Sequence, residues 1–339
     1  MRAAQYSGEH RIVVNEVEAP APASGEVQIR VAYTGICGTD LHVLHGSMDA
    51  RVDVPQAIGH EMSGTVESVG DGVTAFAAGD KVTVMPLDWC GTCPACKACN
   101  SHICQNLNFV GIDSPGSLQE LWNVREDLVV PLPASLSLEH AALVEPLAVA
   151  CHDVSRSRLT EGETAVVIGG GPIGQLIALV AAATGATVYV IEPNPERRAL
   201  AERLGARTID PTTSDAVAII EEATGSAGAD VVFEVAGVAV TALTAVDYAK
   251  VRGRVVLVAI HPNPVPINLH RVFWRELELL GARVYVRADF ERAIELLASG
   301  AVPADDLITS VVGLSETQSA FDQLSGAAAM KILVNVQEG

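Results

Sequence analysis

Residues 164–174 read Thr-Ala-Val-Val-Ile-Gly-Gly-Gly-Pro-Ile-Gly, and this stretch decides the fold. The β-type run Thr164–Ile168 leads directly into three glycines, and the apolar segment Gly174–Thr184 after them has helical length. A second β-type run at Thr187–Glu192 and a second helical segment at Pro195–Leu204 follow. Alternating apolar strands and helices indicate a parallel sheet with right-handed crossovers. We therefore expect an α/β fold with a doubly wound parallel sheet.

The glycines of this turn follow the pattern G-x-G-x-x-G at Gly169, Gly171 and Gly174. The first glycine permits the tight turn, the second lets the backbone approach a pyrophosphate, and the third lets the helix pack on the strand. Pro172 and Ile173 lie at the start of the predicted helix, where the positive end of the helix dipole favours a phosphate. The turn therefore predicts a Rossmann-type dinucleotide-binding domain.

The second predicted strand ends in Glu192, 18 residues after Gly174. A carboxylate at this place accepts hydrogen bonds from the adenosine ribose hydroxyls and repels a 2′-phosphate, which favours NAD over NADP. Arg197 and Arg198 keep NADP open as an alternative, since either could reach a 2′-phosphate. We predict NAD as the cofactor, with Arg197 among the residues that bind it.

The first part of the chain has a different pattern, in which short β-type runs are separated by glycines. These runs are Val27–Tyr33, Gly64–Val69, Lys81–Val84, Leu118–Val124 and Leu128–Val130. A chain of 339 residues exceeds the usual size of one core, so two domains are expected. Residues 1–145 are predicted to form the first part of a mostly β domain, residues 146–284 the dinucleotide-binding domain, and residues 285–339 a return to the first domain.

The later elements are predicted from the same patterns. The further strands are Asp230–Glu234, Arg254–Ala259 and Leu277–Val286, and the return segment has helices at Asp289–Ala298 and Ser315–Leu324 and a last strand at Lys331–Val336. The apolar strand Leu277–Val286 could lie at a sheet edge and pair across a two-fold axis. We expect a homodimer or a homotetramer.

Net charge and the pattern of apolar residues indicate which partners and which cellular location to expect. The 41 acidic and 22 basic residues give a formal net charge of −19, which repels nucleic acid and anionic membrane surfaces, so neither is an expected partner. The first ten residues show no signal-peptide pattern, and the apolar stretches are interrupted before the roughly 20 residues of a membrane span. We expect a soluble, cytoplasmic protein with a small-molecule substrate.

Five of the seven cysteines lie between residues 90 and 104. Four of them have the spacing C-x2-C-x2-C-x7-C, namely Cys90, Cys93, Cys96 and Cys104. In a chain without a secretion signal this spacing favours metal ligation over disulfides. Four thiolates leave no open position on a tetrahedral ion, so we predict a structural zinc site, with an iron–sulfur cluster as the less favoured alternative. Cys99 is not included among the ligands.

A second candidate zinc site comes from the segments Cys37-Gly-Thr-Asp-Leu-His42 and Gly59-His-Glu-Met-Ser-Gly64. They supply one thiolate, one imidazole and nearby carboxylates, which suits a catalytic zinc with an open position for an alcohol oxygen. Asp40 is expected to accept the other ring N–H of His60 and so fix its tautomer. Thr39 is expected to take the alcohol proton and pass it to His42 at the surface.

The order of these motifs, with Glu145-Pro146 between the cysteine loop and the glycine turn, resembles the zinc-containing medium-chain dehydrogenase/reductase superfamily across the whole chain. Leu143–Val149 resembles the sorbitol, butanediol and threonine dehydrogenase branch, where a glutamate replaces a third cysteine ligand. The resemblance implies that the first domain is GroES-like and that Lys331 reaches the cofactor pyrophosphate, unless it only guards a strand edge. It also implies the catalytic ligands Cys37, His60 and Glu61, with Glu145 bound directly or through the zinc water.

The implied activity is the reversible, NAD-linked oxidation of a secondary alcohol, diol or sugar-type polyol to the ketone, with zinc as a Lewis acid. A ring substrate held by Trp122 and Tyr285 is one variant of this hypothesis. L-Threonine or another amino alcohol is an alternative substrate. The alternative from another class is a catalytically silent NAD- and zinc-binding protein.

Overall fold

The computed structural model describes residues 1–261, 263–326 and 329–338. Its strands, in chain order, are β1 (Arg2–Tyr6), β2 (Ile12–Glu16), β3 (Glu26–Gly35), β4 (Gln56–Ala57), β5 (Glu61–Val69), β6 (Lys81–Val84), β7 (Leu87–Asp88), β8 (Asn108–Phe109), β9 (Leu121–Arg125), β10 (Val129–Pro131), β11 (Thr164–Ile168), β12 (Thr187–Ile191), β13 (Arg207–Ile209), β14 (Ala229–Glu234), β15 (Ala249–Leu257), β16 (Glu278–Gly281), β17 (Ile308–Gly313) and β18 (Lys331–Asn335). Its α-helices are α1 (Gly38–Leu44), α2 (Pro94–Lys97), α3 (Leu138–Ala141), α4 (Val144–Ser157), α5 (Pro172–Ala183), α6 (Pro195–Arg203), α7 (Ala216–Ala223), α8 (Ala239–Thr244), α9 (Leu269–Arg275), α10 (Arg287–Ala298), α11 (Ala304–Leu307) and α12 (Thr317–Ser325).

The chain forms two compact units. Unit 1 consists of Met1–Glu145 and Val286–Gly339, and unit 2 of Pro146–Tyr285. The chain passes from unit 1 to unit 2 inside α4. The return to unit 1 begins at Val286, one residue later than the predicted limit.

Unit 1 is built on a seven-stranded sheet with the order β10-β6-β5-β3-β18-β17, in which β9 also pairs with β3. Its central strand β3 buries Val27, Ile29 and Val31. Burial of each such aliphatic side chain stabilises the folded state by about 1.5–3 kcal/mol. In β3, Gly35 lies opposite Glu61 of β5 on one side and Leu333 of β18 on the other. Three distant segments of the chain thus meet at the end of β3.

Unit 2 contains a six-stranded parallel sheet with the order β13-β12-β11-β14-β15-β16. The order runs outward in both directions from the junction of β11 and β14, which is the doubly wound arrangement with its switch point at that junction. Fully buried aliphatic residues such as Val166, Val232 and Val255 fill its core. The predicted α/β fold with a doubly wound parallel sheet is confirmed.

One predicted strand differs from the structure. The stretch Leu277–Val286 was expected to be a single strand, but β16 covers only Glu278–Gly281. Val284 has a φ of 51°, in the left-handed region that a β-branched residue adopts only at a cost, and this interrupts the extended backbone. The prediction of one long strand is therefore wrong.

Candidate metal and cofactor sites

Cys37, His60 and Glu61 come together in unit 1, and we call them the Cys37–His60–Glu61 group. One ligand atom of each lies within 4.8 Å of the other two. Cys37 directly precedes α1, and Glu61 is the first residue of β5, so the sheet register brings the two segments together. A thiolate, an imidazole and a carboxylate in this arrangement suit a zinc ion that keeps one position open.

Asp40 orders this group from within α1. Its Oδ2 accepts the backbone N–H of Cys37 at 2.9 Å, which caps the helix. Its Oδ1 faces Nδ1 of His60 at 3.4 Å, close to the predicted contact but longer than a normal hydrogen bond. Burial opposes the charged form of His60, yet Asp40 and Cys37 outweigh it and raise the pKa of His60 well above its ordinary value.

Three buried polar atoms of described residues in and beside this group lack a hydrogen-bond partner, and this arrangement suits an ion. Among the described residues, Oε1 of Glu61, Nδ1 of His60 and Oδ1 of Asp40 are buried without a hydrogen-bond partner. An unsatisfied buried polar atom costs about 1–3 kcal/mol. A zinc ion bound by the group would satisfy Glu61, so these residues fit the metal.

Lys331 lies beside the Cys37–His60–Glu61 group. It is buried, and its Nζ donates to Oε2 of Glu61 at 2.5 Å and to the carbonyl oxygen of Ile36 at 3.1 Å. Burial lowers the pKa of this ammonium, but Glu61, Cys37 and Glu145 outweigh burial and raise it above its ordinary value. The burial of Lys331 contradicts its interpretation as a solvated edge residue, whereas its contact with a cofactor pyrophosphate stays a prediction.

Glu145 lies in α4 and is buried. Its charge acts on Lys331, which places it in the same electrostatic neighbourhood. It is not part of the Cys37–His60–Glu61 group as the described residues define it. Its binding to zinc, directly or through water, stays a prediction.

Thr39 and His42 share α1 with Asp40. Oγ1 of Thr39 lies 3.7 Å from Sγ of Cys37, next to the candidate metal ligands. His42 lies three residues further along the helix and is exposed, so both side chains are on one helix face. This placement suits the predicted proton route from Thr39 to the surface, which stays a prediction.

The second group of candidate ligands is local in the chain. It comprises Cys90, Cys93, Cys96 and Cys104, and we call it the four-cysteine group. The sulfur of Cys93 lies 3.5 Å from that of Cys96 and 3.7 Å from that of Cys104. Four sulfur atoms bound to one tetrahedral zinc at about 2.3 Å are separated by about 3.8 Å. These distances fit a closed zinc site.

Backbone donors surround these sulfur atoms. Sγ of Cys93 accepts the N–H of Cys96 and of Gln105, each at 3.5 Å. The backbone N–H and the hydroxyl of Thr92 lower the pKa of Cys90 to about 5, which favours the thiolate that a metal requires. Cys99 is exposed and lies outside the four-cysteine group.

The glycine turn of unit 2 has the close approaches that its pattern predicts. Gly169 has a φ of 104°, and a Cβ on it would lie 3.0 Å from the backbone nitrogen of Ala236. A Cβ on Gly174 would lie 1.9 Å from the carbonyl oxygen of Gly169. At Gly171, in contrast, a Cβ would meet only a guanidinium nitrogen of Arg197, at 3.9 Å. This open space suits a pyrophosphate, held at the start of α5, which begins at Pro172 and Ile173.

Glu192 follows β12 by one residue and is buried. Its Oε2 accepts the N–H of Gly170 at 2.7 Å and its Oε1 accepts the N–H of Asn194 at 2.8 Å. Each oxygen retains a lone pair for a ribose hydroxyl. Arg198 is held by Asp210 at 3.0 Å, whereas Nη1 of Arg197 lies 4.0 Å from Glu192.

Two residues of unit 2 make contacts that were not predicted. The side-chain amide of Gln175 donates to the carbonyl oxygens of Gly170 and Arg197, which ties the glycine turn to α6. Nε2 of His261 lies 3.1 Å from Oε2 of Glu234. The two residues are 27 positions apart, and only the pairing of β14 with β15 brings them together, so no spacing pattern could reveal the pair.

The predicted ring-binding residues are not available to a substrate. Trp122 is buried and its indole N–H donates to the carbonyl oxygen of Pro115 at 2.9 Å. Tyr285 has no exposed surface. Their proposed role as the walls of a pocket is therefore wrong, since both side chains belong to the core.

Comparison with known proteins matches two parts of the chain to protein families. Residues 23–134 match the family described as alcohol dehydrogenase GroES-like domain, and residues 172–299 match that described as zinc-binding dehydrogenase. The chain is 53% identical over 335 residues to 2-dehydro-3-deoxy-L-galactonate 5-dehydrogenase of Pseudoalteromonas atlantica, a match that covers 98% of each chain.

Solved structures of dehydrogenases also match this chain over nearly its full length. The crystal structure of 2R,3R-butanediol dehydrogenase from Bacillus subtilis matches with a TM-score of 0.91 at 35% identity, covering 98% of this chain and 99% of that one. A zinc-binding dehydrogenase from Sinorhizobium meliloti bound to NADP matches with a TM-score of 0.93 at 34% identity, covering 98% of each chain.

Fold, candidate ligands and relatives together define a zinc-dependent dehydrogenase of alcohols or polyols. The chain belongs to the zinc-containing medium-chain dehydrogenase/reductase superfamily, whose cofactors are zinc and a nicotinamide dinucleotide. The predicted GroES-like identity of the first domain is confirmed. Within the described part of the chain, every helix is too short or too polar to cross a membrane.

Proposed function

We propose that this protein oxidises a secondary hydroxyl group of a sugar acid to the ketone, with NAD as the hydride acceptor. The 53% identity to a dehydrogenase of 2-dehydro-3-deoxy-L-galactonate, over 98% of both chains, carries the proposal. The butanediol dehydrogenase has a lower identity of 35%. The candidate substrate is therefore a 2-dehydro-3-deoxy sugar acid, oxidised at C5.

The residues of unit 1 divide the chemical work. When bound, zinc supplies Lewis acidity toward the hydroxyl group of the substrate. Cys37, His60 and Glu61 would hold it, and Asp40 orients His60. The hydroxyl of Thr39 takes up the proton that leaves the substrate as it gives its own proton onward, and the imidazole of His42 passes that proton to solvent. Lys331 donates a hydrogen bond to Oε2 of Glu61 and holds this side chain in place.

The two candidate metal sites have separate roles in this proposal. The Cys37–His60–Glu61 group binds a catalytic zinc, because three protein ligands leave one position for substrate. The four-cysteine group binds a structural zinc, because its four thiolates close the site. Cys37 and the cysteines of the four-cysteine group are not joined in disulfides, which suits a reducing compartment such as the cytoplasm.

NAD is favoured over NADP by the carboxylate of Glu192. We expect Glu192→Ala to lower the ratio of kcat/KM for NAD to that for NADP, because it removes the charge that repels a 2′-phosphate. The ratio is the useful readout, since loss of the Glu192 contact to Gly170 disturbs the turn for both cofactors. An unchanged ratio would contradict this role of Glu192.

A substrate panel tests the main proposal. NADH formation would be followed with 2-dehydro-3-deoxy-L-galactonate, sorbitol, 2,3-butanediol and L-threonine at one pH. We expect the highest kcat/KM with the sugar acid. A higher value with L-threonine would favour amino-alcohol oxidation, and no activity with any of them would favour a catalytically silent protein; both results would contradict the proposal.

Self-association is proposed for unit 2. β16 is the last strand in the described order of its sheet, and the nearby helix α9 exposes Phe273 and Trp274 to 74% and 67%. An open strand edge with exposed aromatic residues suits a contact between two copies. Light scattering after size-exclusion chromatography should give a dimer or a tetramer, and a monomeric mass would contradict this.

A further inference from the structure

A buried carboxylate and a partly exposed imidazole meet at the carboxyl ends of β14 and β15. Glu234 is the last residue of β14 and has no exposed surface. His261 lies in the segment after β15, and its Nε2 is 3.1 Å from Oε2 of Glu234. The side chain of His261 is 15% exposed. A buried carboxyl group thus orients an imidazole that still reaches the surface of unit 2.

The other bonds of Glu234 decide which nitrogen of His261 is left for a ligand. Oε1 of Glu234 accepts the N–H of Gly237 at 3.0 Å and the hydroxyl of Thr241 at 2.7 Å. Oε2 is therefore the oxygen available to His261. Because a carboxylate only accepts hydrogen bonds, Nε2 of a neutral His261 carries the proton, and Nδ1 is an acceptor. Nδ1 makes no hydrogen bond with the residues that the structure describes.

The pair lies next to the glycine turn. The N–H of Val235, directly after Glu234, donates to the carbonyl oxygen of Ile168 at 3.0 Å. A Cβ on Gly169 would lie 3.0 Å from the nitrogen of Ala236. The segment that follows Glu234 is therefore packed against the first glycine of the candidate phosphate site.

The sheet order places the two halves of a dinucleotide on opposite sides of this turn. In an open parallel sheet, ligands bind outside the carboxyl ends of the strands at the switch point, here between β11 and β14. Glu192, at the end of β12, marks the adenosine side. With the pyrophosphate at the glycine turn, the other nucleoside half would extend over the ends of β14 and β15. Glu234 and His261 lie there.

We propose that His261 binds the nicotinamide half of the dinucleotide through Nδ1, which accepts a hydrogen bond from the amide group of the carboxamide. Glu234 is a positioning residue that fixes the ring and its tautomer. The inference rests on the proposed NAD-linked function and adds a specific contact within unit 2. A purely structural role of the pair predicts a different result, because loosening the loop would weaken both halves of the cofactor alike.

Binding of cofactor fragments separates the two roles. We expect His261→Ala to raise the Kd for NADH about tenfold, the effect of one lost hydrogen bond, and to leave the Kd for ADP-ribose unchanged. His270→Ala is a matched control, since His270 lies in the same unit and is exposed. Isothermal titration of the full-length protein gives both constants. Equal weakening for NADH and ADP-ribose, or no change for either, would overturn the proposal.

Glu234→Gln tests the positioning role. Glutamine keeps the size of the side chain. Its NH2 group, however, can take the place of the oxygen that accepts a hydrogen bond from Nε2 of His261. We expect a smaller loss of NADH affinity than for His261→Ala, with ADP-ribose binding retained, and no further loss in the double variant. Additive losses in the double variant would overturn this role. If the wild-type protein binds neither NADH nor ADP-ribose, the proposed function fails together with this inference.

Discussion

The four-cysteine group and the Cys37–His60–Glu61 group use similar donor atoms but are assembled differently. The first lies within residues 90–104, and turns of the local backbone bring its thiolates together. The second joins the start of α1 to the start of β5, with Lys331 from β18, 270 positions away from Glu61. Local assembly produces a closed site, whereas assembly by the sheet produces an open one.

The electrostatic surroundings of the two groups also differ. The four-cysteine group is stabilised by N–H donors to sulfur, such as those from Cys96 and Gln105 to Cys93. The Cys37–His60–Glu61 group contains a buried ammonium, that of Lys331, against the carboxylate of Glu61. A buried cation next to a candidate metal ligand neutralises part of its charge. We therefore expect loss of the metal from the open site to lower the stability of the protein less than loss of the metal from the closed site.

The largest effect is expected for Cys37→Ala. Lewis-acid catalysis is worth several kcal/mol, so losing the catalytic zinc should lower kcat/KM by roughly 10³-fold. Metal analysis should fall from about two zinc ions per chain to about one. The variant should retain the thermal stability of the wild type within a few degrees. Unchanged activity with both ions retained would contradict the assignment of Cys37.

Lys331→Met is expected to act on stability. Removing one partner of a buried ion pair costs about 3–5 kcal/mol, because Glu61 is left as an uncompensated charge. Zinc can replace the ammonium as the neighbour of Glu61, so the loss should be larger in zinc-free than in zinc-loaded protein. Urea unfolding with and without zinc measures both. Equal losses in the two states would show that Lys331 and zinc act independently on Glu61.

Cys104→Ser should destabilise the protein through the other site. Loss of the structural zinc removes the bonds that hold residues 90–104 together. We expect the midpoint of thermal unfolding to fall by about 5 °C, which corresponds to one to a few kcal/mol in a unit of this size. Cys99→Ser, in the same loop but outside the group, is the matched control. A similar fall for both variants would contradict a closed site at Cys90, Cys93, Cys96 and Cys104.

The smallest effect is expected for Asp40→Asn. Asparagine can still cap Cys37 through its carbonyl oxygen, but its amide group would face Nδ1 of His60. Groups that orient metal-bound histidines contribute roughly 10–100-fold to metal affinity. Competition with a chelator would measure the Kd for zinc. An unchanged Kd would mean that the 3.4 Å contact does not orient His60.

The comparison also explains what the sequence could predict. The four-cysteine group and the glycine turn are encoded by residues close in the chain, so spacing alone predicts Cys90–Cys104 and Gly169–Gly174. Cys37 and His60 were recognisable because a soft thiolate and an imidazole occur with nearby carboxylates. β11 has the predicted limits for the same reason, since its apolar run ends at a glycine.

The contacts that depend on strand pairing could not be predicted. Lys331 reaches Glu61 because β18 pairs with β3, which in turn pairs with β5. His261 meets Glu234 because β15 lies beside β14. The residues that neighbour Lys331 and His261 in the sequence do not reveal these strand pairings. A lysine at the start of a strand resembles a solvated edge residue, but the structure shows that Lys331 is buried.

The most direct test of the two-site account is a crystal structure with anomalous scattering recorded on both sides of the zinc absorption edge. We predict two peaks per chain, one bounded by Cys37, His60 and Glu61 and one bounded by Cys90, Cys93, Cys96 and Cys104. The peak at the open site should have three protein ligands or should include Glu145 as a fourth. A single peak at the four-cysteine group, in zinc-replete and active protein, would contradict the account.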